Sequence, residues 1–425
     1  MFWRKHRTYL DHASATPLLP EAASAMRDAE KLIGNPGAIH TEAVEAKAAL
    51  TSARERIAKV LGVKARELIF TSGLTEANNL AIVGFARRIL VDGFTRLNLV
   101  VQGSTLLGTH WIVSAIEHSS VLECFSEIER MGGSVTHVMP NEKGIITPDA
   151  VASALKPETV FVSVGWANNE IGTIQPLSKI AEVIRAHEEK NSSTVIFHTD
   201  AGQAPLYEPT VVHSLGVDLL SLSAAKLYGP HGVGALYLSN RVDLAPVILG
   251  GDQERGLRAG TENVALAAGF AAALEVIAKE RHAESKRLQK MRDGLARDLV
   301  AQVPGLIING STSLTAGGDL KHALPHMLNI SIPEIDSEYI CLSLDHEGIA
   351  VSTKSACNEG EKASHVVEAL GGDEWRAENT LRISLGRDTK VSDVTHFSAA
   401  LSRFASRDIV PKWTLRSSQN PRSSS

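Results

Sequence analysis

The sequence has 425 residues, 43 Lys and Arg against 48 Asp and Glu, 44% apolar residues and three cysteines. That length predicts roughly two or three domains with an ample core, and a net charge of −5 excludes a global basic field for nucleic acid or anionic lipid. Cys124, Cys341 and Cys357 include no Cys-x-x-Cys pair and cannot frame a chain of this size with disulfides, which predicts a reducing, cytoplasmic setting.

The first residues are basic but lack the apolar stretch of a signal peptide. From Thr41, apolar residues such as Val44, Ala53, Ile57 and Leu61 recur at helical spacing until Gly62 stops the helix. A strand over 67–71 ends at Ser72-Gly73. A second over 110–116 leads to Ser120 and Glu123, a capping box opening a helix that Gly132-Gly133 closes. Strands follow over 159–165, 194–199 and 217–223, with a helix over 176–187 between the first two. Beyond the apolar run at 235–238 the character changes to a polar loop over 255–263, long helices to about Leu299, and strands over 306–308, 327–331 and 381–384. The most apolar window, 264–274, is too short and Ala-rich to span a bilayer, and the Ser-rich end reads as a disordered tail.

Short apolar runs alternating with helices predict a mainly parallel sheet with helices on both faces, whose ligands bind beyond the carboxyl ends of the strands. The polar residues at those ends are Gly73-Leu74-Thr75-Glu76, Glu117-His118, Asn168-Asn169-Glu170, Asp200 with Gln203, and Ser223 with Lys226. Each has an ordinary reading taken singly: a solvated lysine, an N-capping aspartate, a turn asparagine, a helix-face glutamine, a capping histidine. Together they have a chemical one. A lysine at a strand end suits Schiff-base chemistry with a carbonyl cofactor, and a carboxylate keeps a pyridine nitrogen protonated. A histidine can stack or move a proton, and a helix start after a glycine holds a phosphate. No Walker motif is present, and Gly229, Gly232 and Gly234 lack the context of a dinucleotide fold.

The segments 9–17, Gly34-Asn35-Pro36 with His40, 70–79, 117–118, 168–172, 200–203, 223–234, 255–263, 352–357 and 381–387 run in one order over nearly the whole chain. In them the chain resembles the cysteine desulfurases of the NifS/IscS type, pyridoxal-phosphate enzymes of aminotransferase class V. The resemblance implies the fold type I architecture, an α/β fold with a mainly parallel seven-stranded sheet. Residues 16–262 would form the large domain. Residues 1–15 plus 263–408 would form a smaller α+β domain, and 409–425 a tail.

It also implies roles. Lys226 is the Schiff-base lysine, Asp200 pairs with the pyridine nitrogen, and His118 stacks on the ring. Gln203 and Asn169 address the phenolate side, while Leu74, Thr75 and Ser223 hold the phosphate. Thr261 reaches the phosphate of the partner in a homodimer, and Arg382, with Asn35 nearby, binds the substrate carboxylate. The implied reaction takes sulfur from L-cysteine, releases L-alanine and leaves a persulfide on Cys357, with Lys226 and His118 as proton carriers. The sulfur then passes to an acceptor protein, a scaffold or a sulfur carrier, for iron–sulfur cluster assembly or tRNA thiolation. Alternatives are a selenocysteine lyase or plain class V aminotransferase, whose products would not depend on Cys357, and a catalytically weak carrier or scaffold subunit.

Cys357 stands in a polar stretch and is expected to be an exposed, mobile thiol, whereas Cys124 and Cys341 read as core residues. The chain departs from the family pattern twice. Ala225 stands where a phosphate-holding histidine usually precedes the lysine, which predicts weaker cofactor retention. Lys354 stands where the family favours glycine, which predicts either a lowered Cys357 pKa or contact with an acidic partner.

Overall fold

The computed structural model describes residues 7–92, 105–311, 322–353 and 363–405; Cys357, Lys354 and the expected tail lie outside them. In chain order the strands are β1 (Thr8–Tyr9), β2 (Leu68–Thr71), β3 (His110–Ser114), β4 (Ser134–Val138), β5 (Thr159–Ser163) and β6 (Ile196–Asp200). They continue with β7 (Leu219–Ser223), β8 (Gly234–Leu238), β9 (Ile307–Asn309), β10 (Met327–Ser331), β11 (Ile349–Ala350) and β12 (Thr380–Ser384).

Seven of them form one sheet in the order β2-β8-β7-β6-β5-β3-β4. Strands β4, β3, β5, β6 and β7 pair in parallel, and β8 runs antiparallel to both β7 and β2. The carboxyl ends of β2, β3, β5, β6 and β7 therefore share one edge, which is what crossover helices impose on a parallel sheet. Strands β3, β5 and β7 are buried throughout and read as continuous apolar runs. Strand β4, Ser-Val-Thr-His-Val, is an edge strand with a half-exposed pattern, and its mixed polarity hides it in the sequence.

Helix Thr41–Leu61 ends as expected, with Gly62 at φ 67° in the left-handed region. The expected capping box of Ser120 and Glu123 does not form. Helix Ser119–Arg130 starts two residues earlier, and the imidazole of His118 takes the Ser120 N–H at 3.1 Å, leaving Ser120 inside the first turn. The expected strand over 110–116 stops at Ser114, whose hydroxyl turns back to the Ile116 N–H.

A second sheet, β12-β10-β9, is antiparallel, and β1 pairs in parallel with β11. The helices expected after Val264 are one helix, Val264–Gln302. Its first half bonds to helix Thr41–Leu61 through Glu275 and Arg56, and its second half reaches the Leu324 carbonyl through Arg292. One core cluster accordingly contains Val162, Phe197 and Leu220 of the large sheet, Phe270 and Leu274 of this helix, and Ile330 and Ile383 of the second sheet. At roughly 1.5–3 kcal/mol for each large apolar side chain removed from water, that continuity fixes the two sheets against each other. The pairing of β1 with β11, with a bridge from Asp11 to Ser384, carries Ala13 and Ser14 over the edge of the large sheet.

Candidate active site

At that edge lies a cavity of about 280 Å³. Of the residues expected to bind cofactor or substrate, it is lined by Leu74, Thr75, His118, Asn169, Asp200, Gln203, Ser223, Lys226 and Arg382. Two are elsewhere. Asn35 is exposed and accepts the Gly37 N–H at 2.9 Å in its own turn, and exposed Thr261 lines a separate depression with Arg258 and Leu50.

Asp200 is the last residue of β6, with Oδ1 accepting the Gly202 N–H at 2.9 Å and Oδ2 the Asn78 amide at 2.7 Å. Lys226 ends the short turn Ala224–Lys226 that follows β7. Its Nζ donates to the carbonyls of Ser14 (2.5 Å) and Ala13 (3.0 Å), and Gln203 Nε2 donates to the same Ala13 carbonyl at 2.9 Å. The chain's first segment thus fixes two of the groups after β6 and β7. Leu74 and Thr75 open helix Leu74–Asp92 directly after β2, so free N–H groups and the positive end of the helix dipole face the cavity beside Ser223.

The neighbouring asparagines divide their work. Asn168 Oδ1 accepts the N–H groups of Glu170 and Ile171, a closed turn, while the carbonyl of Asn169 accepts Arg382 Nη1 at 2.8 Å and its side chain is left for the cavity. Arg382 is 1% exposed; Nη2 also donates to Asp11 Oδ1 at 2.9 Å and Ser14 Oγ at 2.6 Å. Its Nε has no partner among the described residues, so the guanidinium retains donors for a carboxylate.

Burial lowers the His118 pKa, with Asp200 opposing and Lys226 adding to the shift, so the ring is neutral near pH 7. Because Nδ1 accepts the Ser120 N–H, the ring proton sits on Nε2. Glu117 also lines the cavity, and burial, reinforced by the Asp200 charge, pushes its carboxyl up to about 8. Its Oε1 accepts the Gly165 N–H at 2.7 Å, and a Cβ at Gly165 would stand 2.8 Å from Oε2, so that approach requires glycine. Sequence reasoning places Glu117 on the rim without a role and gives none to Asn78 or Asp11; their places inside the segments 70–79, 117–118 and 9–17 are the available signal.

Cys124 is buried, its thiol donates to the Ser120 carbonyl at 3.2 Å, and burial pushes its pKa up to about 12. Cys341 is only half-buried and donates to the Val351 carbonyl. Neither lines the cavity.

The donor set suits pyridoxal phosphate: an amine for its aldehyde, a carboxylate for its ring nitrogen, a neutral imidazole for its ring, amides for its phenolate oxygen and a helix N-terminus for its phosphate.

The aminotransferase class-V family model matches residues 8–397. The chain is 38% identical over 401 residues to a cysteine desulfurase IscS of Dictyoglomus turgidum, covering 94% of each protein. It is 37% identical over 383 residues to a putative cysteine desulfurase IscS 1 of Bacillus subtilis, covering 89% of this chain and 93% of that one. Among solved structures, a NifS-like protein superposes with a TM-score of 0.82 at 31% identity over 94% of this chain and 99% of its own. SspA in complex with cysteine superposes at 0.72 with 32% identity over 89% and 98%.

Proposed function

We infer that this chain, which belongs to the aminotransferase class-V family, is a pyridoxal-phosphate-dependent cysteine desulfurase that takes sulfur from L-cysteine and releases L-alanine. The observation that carries this reading is the convergence of Lys226, Asp200, His118, the Leu74–Thr75 helix start and Arg382 on one cavity. When bound, the cofactor supplies an electron sink that weakens first the Cα–H and then the Cβ–S bond of the substrate.

The chain's residues do the rest. Leu74, Thr75 and Ser223 would hold the phosphate, Asp200 the ring nitrogen, and Gln203 and Asn169 the phenolate oxygen. Arg382, fixed by Asp11 and Ser14, would take the substrate carboxylate and orient the Cα–H bond. Lys226 Nζ would hold the cofactor and, once displaced, carry the Cα proton; His118 Nε2 is the second proton carrier. The Cys357 thiolate would attack the substrate sulfur. An S–S bond forms, the Cβ–S bond breaks, and Cβ keeps the electron pair and gains a proton.

Both flanks of the segment 354–362 support that role for Cys357. Before it, Ser352 and Arg382 exchange two backbone hydrogen bonds; after it, Ser364 Oγ donates to Glu170 at 2.5 Å and the His365 ring meets the Glu117 carbonyl at 3.0 Å. The described residues on either side of it thus bond to Arg382 and Glu117, which line the cavity.

A homodimer is part of this reading. Thr261, which the family resemblance places across a dimer contact, and Asn35, which it places beside Arg382, are the two outside the cavity of their own chain, and the loop around Asn35 leaves Ile33 87% and Ile39 97% exposed, as a second copy supplying both residues would require. The persulfide would pass to an acceptor protein in the cytoplasm; among the described residues no helix is long and apolar enough to cross a membrane.

The test incubates the protein with pyridoxal phosphate and cysteine, measures alanine and sulfide with a thiol reductant, and repeats this with Cys357→Ala. Loss of sulfide in the variant is expected. Equal sulfide from both would overturn the reading in favour of a lyase independent of that thiol.

A further inference from the structure

Asn78 lies one turn into helix Leu74–Asp92 and is 0% exposed. Both of its amide hydrogens are used at the cavity: Nδ2 donates to Asp200 Oδ2 at 2.7 Å and to Ser120 Oγ at 3.0 Å. The amide orientation follows from the partner, since a carboxylate only accepts and the reverse orientation would set C=O against it. Because Ser120 Oγ accepts from Asn78, its own hydrogen is free for His118 Nδ1 at 2.9 Å. That nitrogen also accepts the Ser120 N–H at 3.1 Å, a bond that a proton on Nδ1 would forfeit.

We propose that Asn78 is the positioning residue of the site: it fixes the orientation of the Asp200 carboxylate and, by holding the Ser120 hydroxyl, the seating of the His118 ring, so that both cofactor-facing groups are set by one buried amide. The Nε2–H tautomer itself is held by the Ser120 N–H. Asn78 donates to Asp200 and to Ser120, and with Nδ1 unprotonated the Ser120 hydroxyl donates to His118. The arrangement couples three elements distant in sequence, the helix after β2, the helix after β3 and the end of β6. Gly202 N–H is the only other hydrogen-bond donor to the Asp200 carboxylate among the described residues, on its other oxygen, so loss of Asn78 leaves Oδ2 without a donor among them and the carboxylate free to turn. Leaving a buried donor or acceptor unmatched is costly, and a network member acts on all the groups it joins.

This proposal rests on the cofactor reading above, and its test separates the two. The variants are Asn78→Ala, Ser120→Ala and Ser120→Thr. Pyridoxal phosphate affinity is measured by equilibrium binding to the apoprotein, and the His118 tautomer by ¹⁵N NMR of the apoprotein without cofactor. Wild type is expected to show the Nε2–H tautomer. Asn78→Ala should weaken cofactor binding about tenfold and shift the His118 Nδ1 resonance, the tautomer staying Nε2–H because the Ser120 N–H remains. Ser120→Ala should shift that resonance with a smaller loss of affinity, Ser120→Thr should restore both, and the double alanine variant should bind no worse than Asn78→Ala alone. An unchanged cofactor affinity or an unmoved Nδ1 resonance in Asn78→Ala would overturn the proposal. If Asn78→Ala does not fold, the Ser120 pair decides it by the Nδ1 resonance. Failure of the wild type to bind pyridoxal phosphate would instead overturn the cofactor reading, with the Asn78–Ser120–His118 contact still judged by the NMR measurement.

Discussion

The cavity and the loop around Asn35 are built on opposite terms. In the cavity each charged group is answered within the chain: Asp200 by Asn78 and Gly202, Lys226 by Ala13 and Ser14, Arg382 by Asp11, Ser14 and Asn169. Around Asn35 the chain turns outward, with Ile33 and Ile39 in solvent and the asparagine closing a local turn. Folding finishes the first region. The second is the surface that, on the proposed reading, a second copy would cover, and exposed Thr261 is a further residue that this reading assigns to a neighbour.

The largest effect should fall on the finished region. Lys226→Ala is expected to lose desulfuration by a factor of about a thousand or more and to lose the visible cofactor band, with the fold intact by circular dichroism. The same variant probes the second region. Co-expressed with an Asn35→Ala, Thr261→Ala double variant, it should recover about a quarter of wild-type activity, because random pairing gives half mixed dimers with one intact site each. No recovery would show that these loops do not complete a neighbour's cavity.

Next in size is the interface itself. Ile33→Glu with Ile39→Glu should weaken self-association about a hundredfold, read by sedimentation, without lowering the melting temperature of the isolated chain. An unchanged dissociation constant would break the contrast between the regions. Arg382→Lys should follow, raising KM for cysteine about tenfold or more with a smaller change in kcat, because an ammonium cannot hold Asp11, Ser14 and a substrate carboxylate in one plane. A change confined to kcat would instead place Arg382 among the groups that act on the breaking bonds.

The two regions also differ in how far they can be read from the sequence. Strand ends in a parallel sheet converge by geometry, so the alternation of apolar runs and helices is enough to place Asp200, Lys226 and His118 on one rim. Asn78 escapes that logic. On its own helix it is one of several polar residues, with Thr75, Glu76 and Asn79, and its partner Asp200 is 122 positions away, a separation that no local pattern reports. Glu117 is visible on the rim but has no legible role there, because its distinctive property comes from burial against Asp200 and Gly165. The capping box over Ser120 and Glu123 misleads because an imidazole two residues upstream competes for the same N–H.

Glu117 yields a pH effect with a definite sign. Its carboxyl is raised from 4.5 to about 8, so between those values the native chain keeps a proton that the unfolded chain releases. The contribution is fully present below pH 4.5 and is lost as pH rises through about 8. Glu117→Gln keeps an acceptor for the Gly165 N–H but has no proton to lose. The apoprotein variant should therefore gain stability over wild type progressively across that window, by about 5 kcal/mol at most. Urea midpoints of both proteins at pH 5 and pH 8 check this, and a constant difference between them would show that Glu117 is ionised in the fold.

The smallest expected effect concerns Ala225. Its carbonyl accepts both the N–H and the hydroxyl of Thr16, at 3.3 and 3.0 Å, so its backbone is fixed by contacts that do not involve its side chain. The position is half-exposed and lies between Ser223 and Lys226, which line the cavity, so a larger side chain has room without disturbing β7. Ala225→His would add one donor to a phosphate that, on the proposed reading, the helix start at Leu74 and Thr75 would already meet, so only part of a charge-assisted hydrogen bond would appear as net affinity. Pyridoxal phosphate should bind roughly threefold to tenfold more tightly, with kcat for desulfuration unchanged, because Lys226 and Asp200 are untouched. An unchanged dissociation constant would mean that the helix start and Ser223 already saturate the phosphate, and that the missing histidine costs this protein nothing.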